Sequence, residues 1–253
     1  MIDVSIIADN FDLYLNGLWL TVQLVALSLA AGMCIAIPTA LLRVSKNPLI
    51  WGLPWAYIYF FRGTPLLVQL FMIYHGSGQF RSSFESMGIW WIFSEAYWCA
   101  LIAFALNTGA YTAEILRGAI EQTPFGEIEA ARACGMSKAT VYRRIILPSA
   151  FRRALPAYGN EVIFMLHGSA VASIITLDDL LGAGRIINSR YYAPFEAYTT
   201  AGLFYLSLTF TIVWLFRKWE HRWYAHLRAH EATSEKGNGA TAALGRLLMP
   251  GGR

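Results

Sequence analysis

The sequence predicts an all-α membrane protein, with five transmembrane helices and a helix-turn-helix-like loop on the cytoplasmic side. Of its 253 residues, 56% are hydrophobic and only 14% charged, against about 25% charged in soluble domains. The mean hydropathy is +0.43. Acidic and basic residues are absent from 13–42, 63–80, 96–113, 162–177 and 197–216. A bilayer core about 30 Å thick takes about 20 helical residues, so these runs make a multi-span bundle and leave no room for a large soluble domain. Intrinsic disorder, a secreted disulfide scaffold and a soluble enzyme are excluded together.

The positive charges set the topology. Of 20 Lys and Arg, 16 lie in three places: Arg43 and Lys46, the stretch from Glu114 to Arg153, and the chain from Arg217 onward. The segments 1–12, 75–95 and 178–196 hold only Arg81, Arg185 and Arg190 against eight acids. The positive-inside rule puts the N-terminus outside and the C-terminus in the cytosol, which requires an odd number of crossings. Five spans satisfy both counts, at about 13–42, 55–80, 92–116, 154–177 and 196–217. Asp3, Asp9 and Asp12 precede the first basic residue, the reverse of a signal peptide, so the first span is expected to stay uncleaved. Residues 1–228 then form the transmembrane domain, and 229–253, rich in Glu, Lys, Gly, Asn and Ala, a flexible cytoplasmic tail.

Span two is interrupted by Arg62-Gly63-Thr64-Pro65. An arginine at the bilayer centre costs roughly 3 kcal/mol, so Arg62 sits near the cytoplasmic interface or faces a partner inside the bundle. Residues 48–61, with Trp51, Trp55, Tyr57 and Tyr59, suit the interface before the chain turns upward.

The loop between spans three and four is the densest in signals. Pro124 and Gly126 open a first short helix, Gly135 ends it in the left-handed conformation, and Ser137 N-caps a second. Pro148 then restarts the chain toward the membrane. The two helices make a compact knob whose surface is built from Ala130, Ala131, Arg132, Lys138 and Arg143, suited to docking in a groove of another protein. Residues 126–146 also fit the spacing of a DNA-binding helix-turn-helix, which would make the chain a membrane-anchored regulator. Such a unit needs a third packing helix, and the short loop leaves no room for one.

Glu129-Ala130-Ala131, then Gly135, Ile145 and Leu147-Pro148 resemble the EAA loop of bacterial binding-protein-dependent ABC importer permeases. Three further blocks resemble the histidine, arginine and opine branch of the polar amino-acid permeases. They are Phe61 to Leu66 (FRGTPL), Leu106 to Glu114 (LNTGAYTAE) and Leu155 to Val162 (LPAYGNEV). The resemblance covers most of residues 14–225 and implies an ABC importer permease fold in the bacterial inner membrane. It implies a second permease subunit, identical or homologous, two cytosolic ATP-binding subunits and a periplasmic solute-binding protein. Glu129, Ala130, Ala131, Arg132, Gly135, Ser137, Lys138 and Arg143 would then couple the spans to the ATPase. The sequence holds no GxxxxGK[ST] phosphate loop, so the chain is not an enzyme by itself; it binds no cofactor, and ATP and Mg belong to the partner ATPase.

Substrate-path candidates follow from polar groups at membrane depth. Glu161, next to Asn160, precedes a charge-free run and faces either the path, where it would favour cationic amino acids, or Arg152, Arg153 or Arg62 at the cytoplasmic end. Asn107, Thr108 and Tyr111 lie within one turn and either line a polar path or hydrogen-bond between helices. Some members of the branch have Lys-Asp-Thr or Lys-Asp-Ser where this chain has His167-Gly168-Ser169, so their selectivity is not carried over. His167 is a path residue or a packing histidine. Gly168 and Ala172 form a small-residue face expected to pack on the partner permease.

Glu114, Arg117 and Glu121 are spaced to pair along one helix face, and 178–196, with Asp178, Asp179, Gly182 and Gly184, is an outer helix or a plain loop. Cys34, Cys99 and Cys134 are spread apart and indicate neither a disulfide framework nor a metal site. A proton-coupled secondary carrier would usually show repeated halves, and no repeat is visible. No residue set converges as in a membrane enzyme. The positive charge, +4 net, follows topology and gives no sign of a nucleic-acid partner; the surrounding partner is membrane lipid.

Overall fold

A computed structural model describes residues 4–223, and the tail expected at 229–253 lies outside the described residues. Among the described residues every regular element is helical. In chain order these are α1 (Val4–Asp9), α2 (Phe11–Arg43), α3 (Pro48–Gly63), α4 (Leu66–Tyr74), α5 (Arg81–Ser86) and α6 (Trp90–Phe93). They are followed by α7 (Ala96–Glu121), α8 (Phe125–Ala133), α9 (Lys138–Val141), α10 (Leu147–Gly168), α11 (Leu180–Tyr191) and α12 (Pro194–Trp223).

Helices α2, α7 and α12 are each long and apolar enough to cross a bilayer. The expected second span is not one helix. It is broken between α3 and α4 and bent by 104°. Pro65 is the physical reason, since its ring excludes the helical conformation at Thr64, and both residues are extended (ψ 144° and 137°). The expected fourth span is also composite. α10 carries Arg152, Arg153 and Glu161 and is not among the apolar helices, and beyond Gly168 it tightens into a 3-10 helix, Ser169–Ile175. Pro148 does not restart the chain. A π turn at Tyr142–Ile146 joins α9 to α10 without a break, placed where the proline removes the bond to residue 144.

The described residues up to 212 form one compact unit built around the pairing of α2 with α7. Small residues let these helices approach closely. A Cβ on Gly32 would stand 2.5 Å from Thr108 Cγ2 and 3.1 Å from the Gly109 nitrogen. Ala36, Ala40, Ala113 and Leu116 continue that seam into a cluster holding Ala131, Val141 and Ile146 beneath the loop helices. A second cluster joins Leu24, Leu70, Phe104, Met165 and Leu166. Ala172 belongs to it, Ser169 and Ser173 are buried, and Gly168 meets Leu66. The small-residue face expected to pack on a second permease is therefore consumed inside this chain.

The segment 178–196 is the helix α11, opened by Asp179, whose Oδ1 accepts the Gly182 N–H at 2.9 Å. Its backbone presses on Gly17 of α2, where a Cβ would stand 2.7 Å from the Asp179 carbonyl oxygen. Tyr14, fully buried, donates to the Ala197 carbonyl at 2.9 Å and closes this end of the bundle.

The described residues from 213 onward belong to a second unit. Its described part, 213–223, is helical, with the Lys218 ammonium 5.1 Å from the centre of the Trp214 ring.

Candidate functional site

The break at Gly63–Pro65 frees helix-end carbonyls in an apolar setting, and one amide meets them. Gln69, buried, lies one turn into α4, and its Nε2 donates to the carbonyls of Phe61 (2.8 Å) and Thr64 (3.0 Å) and reaches the Thr64 hydroxyl at 2.7 Å. Its Oε1 accepts from Asn107 Nδ2 of α7 at 2.9 Å. Tyr57 adds a second tie, donating to the Leu106 carbonyl at 2.6 Å. Irregular backbone at membrane depth is tolerated where such groups re-satisfy it.

Against this bend lies a cavity of about 530 Å³, walled by Thr64, Pro65 and Leu66, by Asn107 and Tyr111 of α7, and by Asn160, Glu161 and Phe164 of α10. Glu161 is buried and accepts the Thr108 hydroxyl at 2.8 Å. Thr108 itself is fully enclosed behind it. Arg62 is outside the wall, its guanidinium 5.2 Å from the centre of the Tyr111 ring.

Of the sequence candidates, Asn107, Tyr111, Asn160 and Glu161 converge on one cavity, Thr108 supports it and Arg62 flanks it. His167 does not join them; it is exposed, with Nε2 3.1 Å from the Thr209 hydroxyl of α12. Arg153 is no partner of Glu161. It takes the Ala119 carbonyl, Thr123 and Ser149, tying the foot of α10 to the last turn of α7. Gln69 was not singled out by the sequence, and Tyr57 was marked only as an interfacial aromatic. The one available signal for Gln69 is a lone amide in the apolar run Leu66 to Tyr74.

The loop helices have the local geometry their residues imply. Gly135 has φ +75°, and the N–H groups of Gly135 and Met136 bond to the carbonyls of Arg132 and Ala131, closing α8 with a Schellman turn. Ser137 caps α9, its hydroxyl accepting the Thr140 N–H at 3.3 Å. Glu129, Ala130, Arg132, Gly135, Ser137, Lys138 and Arg143 are exposed. Ala131 is not on the surface. It is buried in the cluster with Val141 and Ile146, because the Schellman turn folds α9 back over it. Phe125, unremarked in the sequence, stands 76% exposed on the first turn of α8. At the other end of the loop, Arg117 pairs with Glu114 and Glu121 as their spacing implies.

Residues 32–223 match the family of binding-protein-dependent transport system inner membrane components. The chain belongs to this family. Among its relatives, the nopaline transport system permease protein NocM of Agrobacterium fabrum is 44% identical over 227 residues, 90% of this chain and 94% of that one. The histidine/lysine/arginine/ornithine transport system permease protein HisM of Escherichia coli K12 is 45% identical over 213 residues, 84% of this chain and 90% of that one. A solved amino acid ABC transporter with histidines shares the fold with a TM-score of 0.77 at 35% identity, covering 88% of this chain and 99% of that one. As a member of the family, the chain is the permease subunit of an ABC importer in the inner membrane, and the ATPase is a separate subunit.

Proposed function

We propose that this permease carries a polar or basic amino acid, or an opine, through the cavity bordered by Glu161. The observation that carries the reading is the buried Glu161 carboxylate on the wall of a 530 Å³ space whose largely apolar lining, Pro65, Leu66, Ile115, Phe164 and Met165 among it, also holds the amides Asn107 and Asn160 and the Tyr111 ring. A carboxylate in a low-dielectric site favours an ammonium or guanidinium by charge pairing. The amino end of α4 forms part of the same wall and suits the substrate's carboxylate. NocM and HisM, named for nopaline and for cationic amino acids, agree with this chemistry.

The transport cycle needs no reaction on this chain. Its five crossings are α2, the bent pair α3 and α4, α7, α10 with its 3-10 extension, and α12, which puts the N-terminus in the periplasm and the C-terminus in the cytoplasm. The knob of α8 and α9 lies in the cytoplasm, where Phe125, Glu129, Ala130, Arg132, Lys138 and Arg143 seat in the ATPase. Two such ATPase subunits bind ATP and Mg, and their closure rocks this permease and a second one between inward-open and outward-open states. A periplasmic binding protein delivers substrate at the opposite face.

The test is uptake by the assembled transporter in liposomes. Labelled arginine is competed with lysine, histidine, nopaline, glutamate and leucine. The reading requires that cationic substrates and opines compete and that glutamate does not; equal competition by leucine and glutamate removes it.

A further inference from the structure

We propose that Arg43 and Arg62, with the aromatic face of α3, form a binding site for the phosphate of an anionic phospholipid. The site is a second pocket, about 370 Å³, lined by Arg43, Trp55, Ile58, Tyr59, Arg62 and Glu114, and it shares no lining residue with the Glu161 cavity.

Charge is the first argument. Arg43 lies over the Trp51 ring at 5.2 Å and Arg62 over Tyr111 at 5.2 Å, and among the described residues neither joins an ion pair. Glu114, the one acid on the wall, is taken by Arg117. Two guanidiniums without a close ion pair therefore face one pocket, and the single acid on its wall, which they share with Arg117, leaves the pocket net positive. A guanidinium stacked on a ring keeps its N–H fork available for bidentate bonds to a phosphate. Arg43 Nε is buried with no hydrogen-bond partner among the described residues, so this chain leaves the guanidinium incompletely satisfied.

The surroundings decide for a lipid over a free anion. The outer face of α3 exposes Leu49 (91%), Leu53 (81%), Tyr59 (69%) and Trp55 (44%). Trp55 and Tyr59 stack at 5.3 Å, and such aromatics sit at headgroup depth beside acyl chains. The ends of α2 and α3 near Arg43 lie at the cytoplasmic leaflet on the topology proposed above, on which this inference rests. Basic pockets between helices on that side suit anionic headgroups.

The experiment is native mass spectrometry of the complete transporter, purified in detergent and supplied with phosphatidylglycerol or phosphatidylcholine. Phosphatidylglycerol should be retained in preference to phosphatidylcholine. Arg43→Gln should lower that retention about fivefold, with Arg43→Lys between the two. Excess inorganic phosphate should not displace the lipid. Equal retention of both lipids, unchanged retention in Arg43→Gln, or displacement by phosphate would overturn the proposal. If Arg43→Gln does not assemble, a photoreactive phosphatidylglycerol decides on the wild-type complex. Labelling of residues 51–62 supports the site; labelling elsewhere, or none because a second permease covers the pocket, sinks it. A Glu161→Gln complex should bind the lipid as wild type does, so failure of the amino-acid reading and of this one are read separately.

Discussion

Thr108 of α7 donates its hydroxyl proton to Glu161 Oε1 of α10 at 2.8 Å, so the carboxylate bordering the cavity is held from behind by a fully buried partner. The bond joins two helices and orients the acid, leaving Oε2 for other contacts.

Replacing Thr108 by Val keeps the shape and removes the donor. A buried acceptor left unpaired costs about 1–3 kcal/mol, more for a charged group. Thr108→Val should lower the melting temperature of the purified complex and raise the KM for uptake, whereas Thr108→Ser should restore both. Identical behaviour of the two variants would mean that the hydroxyl does not matter.

Gln69→Leu removes the amide donor from the carbonyls of Phe61 and Thr64 and the acceptor from Asn107, leaving the Phe61 carbonyl only the long 3.4 Å bond from Asn107 Nδ2. We expect a loss of about 2 kcal/mol or more and a strong fall in yield from membranes. A melting temperature equal to wild type would show that the bend holds without its amide.

Gly17 has no room for a side chain, because the Asp179 carbonyl oxygen would lie 2.7 Å from a Cβ and backbone does not yield as a flexible side chain does. Gly17→Ala should cost about 1–3 kcal/mol by overpacking. Gly118→Ala, where nothing lies within 4 Å, should be neutral or slightly stabilising. Thermal unfolding of the two variants side by side checks the contrast.

Asp179, outside the spans, gives a pH dependence. Burial pushes its carboxyl up to about 6 from an ordinary 3.8, against the opposing N–H bond from Gly182. The folded chain then holds the proton more tightly than the unfolded one. The stabilisation is fully present below about pH 4, and is lost as pH rises through about 6. A difference of that size corresponds to roughly 3 kcal/mol. Melting temperatures between pH 4 and 7.5 should show wild type gaining on Asp179→Asn as pH falls. Parallel profiles would remove Asp179 as the cause.

How much the sequence discloses depends on how local the cause is. Gly135 and Ser137 act through backbone geometry two or three residues away, and both turned out in the conformations their types imply. The Arg62 to Pro65 interruption marked the break in span two, but not its 104° angle, which depends on Gln69 and Tyr57 reaching other elements. Ala131 misled because a small residue in a charged loop reads as surface, whereas burial follows from the return of α9 across it. The pairing of Thr108 with Glu161 spans 53 positions, and no local pattern encodes it. Glu161 itself was legible as a lone acid before an apolar run.

The central claim is that Glu161 selects a positively charged substrate, and initial uptake of labelled arginine by the reconstituted transporter tests it most directly. Wild type, Glu161→Asp and Glu161→Gln would be compared at equal ATPase content. The account predicts that Glu161→Gln loses at least about tenfold in kcat/KM, about 1.4 kcal/mol, while Glu161→Asp retains part of the rate. Arginine uptake by Glu161→Gln at the wild-type kcat/KM would contradict it.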